Sequence, residues 1–422
     1  MTAILKTTGA PAFYLAIFLN ALIDLGHKIT IQNTVFKIHD GSQQIILIAI
    51  INGLILLPYI LLVVPIGRVA NRTAKPTMIK FTAWCSLALT LIITLFYWLG
   101  WFWPAFAMTL LMAVQSAFYS PAKLSYLKVY FGEHSLPEAN GLAQAIVIAG
   151  ILLGTVVFSL GFEYLYPAAP DDKSAVTASM YPLGLVLVGL ALVQLYSAYQ
   201  IAVLPEPSIE NANNTVTAAP KIVNVLASRE VLIPVLLLAL FWSVGQGMLA
   251  AFPAFAKAHA GIENAAVIQG VLASTAIGIG VGAYFVGRFS KGGILFMLVP
   301  LGVAGLSLGL WSLTLLSSAA AFALAYFTMG VASALLIVPM NAFIQLRASG
   351  DKIGVVIAAS NFIQNIGMLL MLGLTIAFAL AGVDSARLLQ MMALLTTVLG
   401  SGLAWLIIGF KAEGNEEKLA KQ

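Results

Sequence analysis

Charged residues are scarce in this sequence. Only 9% of its 422 residues are Asp, Glu, Lys or Arg, whereas 61% are hydrophobic. A soluble domain usually has about a quarter charged residues, so a water-soluble globular fold is excluded. Cys85 is the only cysteine, which excludes an intramolecular disulfide. The composition therefore predicts a protein embedded in lipid.

Motifs for nucleotide hydrolysis, metal chemistry and nucleic-acid binding are also missing. No Gly-Lys dipeptide occurs, which excludes the phosphate-binding loop of a pump driven directly by ATP. The four histidines lack metal-ligand spacing, and none is followed, after four intervening residues, by the aspartate expected of a glycerolipid acyltransferase. Lys and Arg form no arginine-rich face. The sequence predicts no enzyme activity, no metal, no cofactor and no nucleic-acid partner.

Long apolar runs occur along the whole chain. A helix needs about 20 apolar residues to cross about 30 Å of hydrocarbon, and the runs are separated by short polar or Gly/Pro turns. We predict an all-α membrane protein with twelve transmembrane helices, at approximately 13–36, 44–66, 77–98, 102–122, 138–162, 179–202, 231–253, 265–287, 292–315, 320–345, 353–380 and 386–410.

The basic residues are unevenly distributed between the two sides of such a protein. Sixteen of the 21 Lys and Arg residues fall in the termini and connections on one side, and by the positive-inside rule that side is cytoplasmic. Four fall on the other side, at Lys37, Lys173, Lys257 and Arg387, and Lys28 lies within the first span. Both termini are therefore expected in the cytoplasm.

The longest predicted cytoplasmic connection divides the spans into six and six. It is rich in Pro and Asn, as linkers are. We predict an N-terminal six-helix bundle over 1–202, a linker over 203–230 and a C-terminal six-helix bundle over 231–422. Gly67-Arg68 recurs as Gly287-Arg288 at the matching place of the second half. Two related halves of this kind bind substrate near the middle of the membrane.

The first span is unusually polar. Asn20, Asp24, His27 and Lys28 fall within about two helical turns, and at this spacing Asp24 lies on the same face as His27 and Lys28. A charge at the bilayer centre costs roughly 3 kcal/mol on insertion scales. The charges are expected either to neutralise each other as a structural ion pair, or to line a watery cavity that responds to substrate or protons.

Amide side chains mark further spans. Asn140 and Gln144 share a face of the fifth span, Gln246 lies in the seventh, and Asn361, Gln364 and Asn365 share a face of the eleventh. Amides within a membrane often hydrogen-bond across helices, so they are candidates either for structural contacts or for lining a cavity. Glycines of the eighth span, including Gly278 and Gly280, should allow close helix approach.

The connection after the second span is predicted to be a basic cytoplasmic loop. It contains Gly67, Arg68, Asn71, Arg72 and Lys75. This spacing resembles the Gly-x-x-x-Asp-Arg-x-Gly-Arg signature of major facilitator transporters, with departures at Asn71, where an acid is usual, and at Ala74, where glycine is usual. The resemblance implies a cytoplasmic gate, to which Lys123 and Arg288 are further candidates.

Two longer stretches resemble a narrower family, the bacterial lysophospholipid transporters of LplT type and the transporter domain fused to lysophospholipid acyltransferases. They are Phe118-Tyr119-Ser120-Pro121-Ala122-Lys123 with Glu138-Ala139-Asn140-Gly141-Leu142, and Val338-Pro339-Met340-Asn341 with Asn361-Phe362-Ile363-Gln364-Asn365. Gln364 stands where some such transporters have an acid, and the seventh span has Gln246 and no embedded cation. Asp24, His27 and Lys28 are therefore the main charged candidates.

The resemblance implies the major facilitator fold and a secondary transporter working by alternating access. It implies that lysophospholipids are flipped across the bacterial inner membrane to the cytoplasmic leaflet for reacylation, with membrane lipids around the protein and any acyltransferase on a separate chain. Asp24 would then attract an ammonium group and Lys28 a phosphate. The alternative is a proton-coupled exporter or importer of a small organic solute, in which Asp24 loads and releases the proton.

Overall fold

The computed structural model describes residues 7, 9–168, 172–202, 228–289, 295–347 and 353–409. Every regular element in these ranges is helical. A helix satisfies all its backbone hydrogen bonds internally, as hydrocarbon surroundings require. In chain order the helices are α1 (Ala10–Ile38), α2 (Gly41–Leu61), α3 (Val63–Arg72), α4 (Lys75–Trp98), α5 (Phe102–Leu165), α6 (Lys173–Ser179), α7 (Tyr181–Tyr199), α8 (Arg229–Ala260), α9 (Ala265–Phe289), α10 (Leu298–Leu313), α11 (Ala319–Arg347), α12 (Ile353–Leu380) and α13 (Ser385–Leu395), followed by a π-helical turn at Thr396–Gly400.

The predicted all-helical membrane fold is confirmed. Eleven stretches within the described ranges are long and apolar enough to cross a membrane, and α5 supplies two of them, Phe102–Phe131 and Glu138–Leu165. The ninth predicted span corresponds to α10, which is apolar but has only 16 residues. Residues 290–294, at the start of that predicted span, lie outside the described residues.

Two connections differ from the prediction. The expected basic loop after the second span is largely the helix α3, because Val63, Ile66 and Val69 recur at helical spacing beside the arginines, a pattern typical of a helix at the membrane interface. The expected connection between the fourth and fifth spans is also helical, since α5 runs through 123–137 without a break. The sequence has no Gly or Pro between Pro121 and Gly132, and the helix continues through Gly132 and Pro137.

The chain divides into two compact units. Unit 1 comprises Met1–Ile38, Gly53–Asn214 and Asn264–Gln269, and unit 2 comprises His39–Asn52, Thr215–Glu263 and Gly270–Gln422. Residues 203–227 of the predicted linker lie outside the described residues. The six-plus-six organisation with a linker at 203–230 stays a prediction.

In unit 1, α1 lies directly against the second half of α5. A Cβ atom placed on Gly150 would lie 2.8 Å from the backbone oxygen of Phe18, and one on Gly26 would lie 2.5 Å from the ring of Phe158. Aromatic side chains hold the beginning of α1: Phe13 contacts the rings of Tyr126 and Tyr130. These contacts fix the face of α1 that carries Asp24 relative to α5.

In unit 2, glycines bring α9 and α11 into backbone contact. Cβ atoms on Gly278 and Gly330 would lie 2.1 Å and 2.2 Å from backbone oxygens of the facing helix. The predicted close approach at Gly278 is therefore confirmed. Gly280 faces open space, so it contributes nothing to this contact.

Candidate functional site

Unit 1 contains a cavity of about 260 Å³. Its walls come from α1, α2 and both halves of α5, and they combine apolar side chains with a small number of charged and hydroxyl groups. Ligand sites in proteins are commonly built in this way. The lining residues are Ile17, Asn20, Ala21, Asp24, Leu25, His27, Lys28, Ile55, Tyr59, Thr109, Met112, Ala113, Ser116, Tyr119, Ser120, Lys123, Val147 and Ile151.

Among the described residues that line the cavity, Asp24 is the one acidic side chain. One of its carboxylate oxygens, Oδ2, accepts a hydrogen bond from Asn20 Nδ2 at 3.1 Å and another from the hydroxyl of Ser116. Hydrogen bonds to a charged group are stronger than those between neutral groups. The carboxylate is thus fixed between α1 and α5 with one side anchored.

Lys28 lies one turn beyond Asp24 on α1 and lines the same cavity. Among the described side chains, no hydrogen bond or ion pair joins the two. The expectation that they neutralise each other as an ion pair is therefore wrong. The alternative, that both charges line a cavity, agrees with the structure.

His27 is held by neighbouring helices and is only 1% exposed. Its Nδ1 is hydrogen-bonded to the Tyr97 hydroxyl at 2.8 Å, and its Nε2 lies 3.4 Å from Thr109 Oγ1. Its ring is also stacked against that of Tyr97. Both ring nitrogens have protein partners. The His27 side chain therefore links α1 to α4 and α5 at the edge of the cavity.

Lys123 is a second cation on the cavity wall. Its ammonium group lies 5.9 Å from the ring centre of Tyr119, and it is close enough to Asp24 for Coulombic attraction. The Tyr119 hydroxyl is buried without a hydrogen-bond partner in the described structure. Lys123, predicted only as a residue of the cytoplasmic gate, therefore belongs to the same cavity as Asp24.

The structure and the sequence place this chain in a known family. The family model described as Major Facilitator Superfamily matches residues 13–372. The chain belongs to the Major Facilitator Superfamily. It is a multi-pass membrane transporter, because its spans and its family agree.

Its curated relatives include proteins named lysophospholipid transporter LplT. The protein of Serratia proteamaculans (strain 568) is 30% identical over 340 residues, covering 79% of each chain. That of Photorhabdus laumondii subsp. laumondii is 28% identical over 377 residues, covering 88% of each. The resemblance inferred from the sequence motifs is confirmed at this level.

Solved major facilitator structures share the fold at low sequence identity. A bacterial homologue of the human lysosomal transporter Spinster, in an inward-facing and unoccupied conformation, matches with a TM-score of 0.65 at 14% identity, covering 95% of this chain and 97% of the other. A POT family transporter in complex with 5-aminolevulinic acid matches with a TM-score of 0.68 at 11% identity, covering 95% and 96%. These similarities show the fold alone.

Two of the candidate amide residues predicted from the sequence lie on α5, next to the residues that line the cavity. Asn140 is partly buried and Gln144 is exposed, and neither lines the cavity. Gln144 precedes the lining residues Val147 and Ile151 by three and seven residues, and Asn140 precedes them by seven and eleven, which places all four on one helical face. They extend the lined face of α5 beyond the cavity.

The predicted amides of the C-terminal half belong to unit 2, and none of them lines this cavity. Gln364 is 9% exposed and donates a 2.8 Å hydrogen bond to Ser360 in its own helix. Asn361 is exposed and Asn365 is partly buried. Gln246 has a buried carbonyl oxygen that accepts no hydrogen bond in the described structure. Gln364 thus makes a local contact, and roles in binding for this group stay a prediction.

The facilitator signature residues lie mostly within helices. Gly67 lies in α3 and meets no neighbouring atom at the position of a Cβ, and Arg72 is exposed at the end of that helix. Lys75 begins α4 and donates to the Thr73 carbonyl at 3.2 Å. Arg288 is exposed near the end of α9, and the side chain of Asn71 lies outside the described part of the structure. A gating role for this group stays a prediction.

Sequence reasoning missed several residues that define the site. Ser116 and Gln115 on α5 and Gln194 on α7 all hydrogen-bond to Asn20, although they are 95 to 174 residues away in the chain. Tyr59 and Ser120 also line the cavity. The adjacent polar pair Gln115-Ser116 in the middle of an apolar span was the one signal that could have indicated this contact.

Proposed function

We propose that this transporter carries lysophospholipids across the bacterial inner membrane and delivers them to the cytoplasmic leaflet. Support comes from its relatives, which are named lysophospholipid transporters, and from the charges of the unit 1 cavity. The observation that carries the proposal is the placement of Asp24 in one small cavity with Lys28 and Lys123. The direction of movement follows from the family resemblance.

The order of these charges follows from the hydrogen bonds between α1 and α5. Asn20 and Asp24 bond to Ser116, whereas His27, further along α1, contacts Thr109, earlier in α5. The two helices are therefore antiparallel here. Lys28 lies one turn after Asp24 along α1. Lys123 lies on the opposite side of Asp24, because it follows Ser116 by seven residues, or about 10 Å, along the antiparallel α5.

A carboxylate flanked by two cations matches the charges of a phospholipid headgroup. Under this proposal the phosphodiester is attracted by the positive charges of both Lys28 and Lys123, and an ammonium group, where the headgroup has one, binds Asp24 through charge-assisted hydrogen bonds. With both lysines and Asp24 ionised, the three charges sum to +1. The site therefore suits an anionic headgroup as well as a zwitterionic one.

A cavity of this size is expected to hold the headgroup rather than the whole lipid. Its volume of about 260 Å³ is below the range of roughly 300–1,000 Å³ found for pockets that enclose drug-sized ligands. A lysophospholipid with a long acyl chain exceeds that space. The acyl chain of the lysophospholipid is expected to lie along apolar helix surfaces outside the cavity, where membrane lipid already provides an apolar environment.

The test is movement of labelled lysophosphatidylethanolamine in proteoliposomes that contain the purified protein. Accessibility of the label to a membrane-impermeant reagent would be followed over time, with and without an imposed pH gradient. Protein-dependent movement that Asp24→Asn reduces supports the proposal. Absence of movement under every condition, from protein shown to be folded, contradicts it and favours the proton-coupled transport of a small organic solute.

A further inference from the structure

Asn20 connects three helices of unit 1 through its side-chain amide. Its Oδ1 accepts hydrogen bonds from Gln115 Nε2 at 3.2 Å and from Gln194 Nε2 at 3.1 Å. Its Nδ2 donates to Asp24 Oδ2 and lies 3.1 Å from Ser116 Oγ. All four partners are in unit 1, and Asn20 is only 7% exposed.

These contacts determine which way the Asn20 amide points. An amide has one acceptor end and one donor end, and both Gln115 and Gln194 present donors to the same atom. Only the acceptor end of Asn20 can satisfy two donors, so its donor end is directed at Asp24. If the Asn20 amide were reversed, its oxygen would face the Asp24 carboxylate, and its NH₂ group would face the NH₂ groups of Gln115 and Gln194.

The orientation of Asn20 in turn determines which oxygen of Asp24 is available. Oδ2 is occupied by Asn20 and Ser116. Oδ1 accepts no hydrogen bond from any side chain in the described ranges, and Asp24 lines the cavity. One carboxylate oxygen is anchored, and the other can accept hydrogen bonds from a ligand.

The hydrogen bonding of Gln194 indicates a role beyond stabilising the fold. It is 1% exposed, and its Oε1 is buried without a partner in the described structure. A buried acceptor without a partner costs stability, and an apolar side chain of similar size would remove that cost. Its amide nitrogen, by contrast, makes the contact with Asn20. Its one hydrogen-bonded end is thus the end that orients the site.

We propose that Gln115 and Gln194 are positioning residues that orient Asn20, so that Asp24 presents a free carboxylate oxygen to the ammonium group of a zwitterionic lysophospholipid. This inference rests on the proposed function and adds the origin of headgroup selectivity. Neither glutamine lines the cavity, so both act through Asn20. They affect ligands that have an ammonium group and leave headgroups without an ammonium group largely unaffected.

The test compares two substrates in the same proteoliposomes: lysophosphatidylethanolamine, which has an ammonium group, and lysophosphatidylglycerol, which has none. In the double variant Gln115→Leu with Gln194→Leu, the ratio of transport of the first to that of the second is expected to fall about tenfold, as for loss of a hydrogen bond to a charged group. Gln194→Leu alone is expected to give a smaller decrease in the ratio with no loss of thermal stability.

Ser197→Ala is the matched control. Ser197 lies one turn after Gln194 on α7 and is 2% exposed, and within the described residues its hydroxyl bonds only to the Val193 carbonyl of its own helix. This variant should keep the wild-type ratio. A double variant that retains the wild-type ratio, or that loses both substrates equally, overturns the inference. If wild-type protein moves neither lipid, it is the proposed function that fails.

Discussion

Asp24 and Lys28 lie one helical turn apart on α1 and line the same cavity, yet no ion pair joins them within the described structure. Asp24 is instead hydrogen-bonded to Asn20 and Ser116, and the ammonium group of Lys28 has no described partner. A charged side chain within a membrane has a high free-energy cost and usually marks a functional site. Both remain available to a ligand with charges of its own.

Replacement of Asp24 by asparagine should abolish the preference for an ammonium-bearing headgroup. The substitution keeps the size of the side chain but removes its negative charge. A hydrogen bond to a charged group contributes about 1.5–3 kcal/mol. Transport of lysophosphatidylethanolamine should fall at least about tenfold. The control is Asp40→Asn, whose side chain is 79% exposed, and it should transport as wild type does. Equal transport by the two variants would contradict the assignment.

Lys28 and Lys123 should both contribute to binding of the phosphate. Replacement of either by glutamine removes one positive charge from the cavity wall and should raise the concentration of lysophospholipid needed for half-maximal transport several-fold, for headgroups with and without an ammonium group. Lys173→Gln is the control, because Lys173 lies over the ring of Trp103 rather than in the cavity. If neither cavity variant differs from this control, the phosphate binds elsewhere.

His27 should contribute to stability rather than to proton coupling. His27→Leu leaves the Tyr97 hydroxyl without its 2.8 Å partner, and a lost buried hydrogen bond costs about 1–3 kcal/mol. The thermal unfolding temperature in detergent should therefore decrease. Any response of transport to an imposed pH gradient should stay as in the wild type, whereas loss of that response in His27→Leu would favour the proton-coupled alternative.

The sequence predicted the helical membrane fold because apolar runs and the distribution of basic residues are local properties. It also indicated Asp24 and Lys28, since residues four apart on one helix must share a face. It could not indicate Gln194, which reaches Asn20 across 174 residues of chain. Nor could spacing alone show that Ser116, rather than Lys28, is the partner of Asp24, because that choice depends on how α1 and α5 lie against each other.

The contact between α9 and α11 gives a test of the fold that is independent of function. Gly278→Ala would place a methyl group 2.1 Å from the Phe327 carbonyl oxygen, and overpacking of this kind costs about 1–3 kcal/mol. Gly280→Ala, two residues away, meets open space and gains helix propensity of up to about 1 kcal/mol. Thermal unfolding in detergent should show a decrease for the first variant and none for the second.

Under the proposed function, the headgroup of a lysophospholipid binds in the unit 1 cavity. The most direct measurement uses a lysophosphatidylethanolamine analogue with a photoreactive group on its headgroup, followed by mass spectrometry of the labelled peptides. We expect labelling of the lining segments 17–28 and 109–123, competed by unlabelled lipid and reduced in Asp24→Asn. Competed labelling confined to helices of unit 2, such as α12, would contradict the claim.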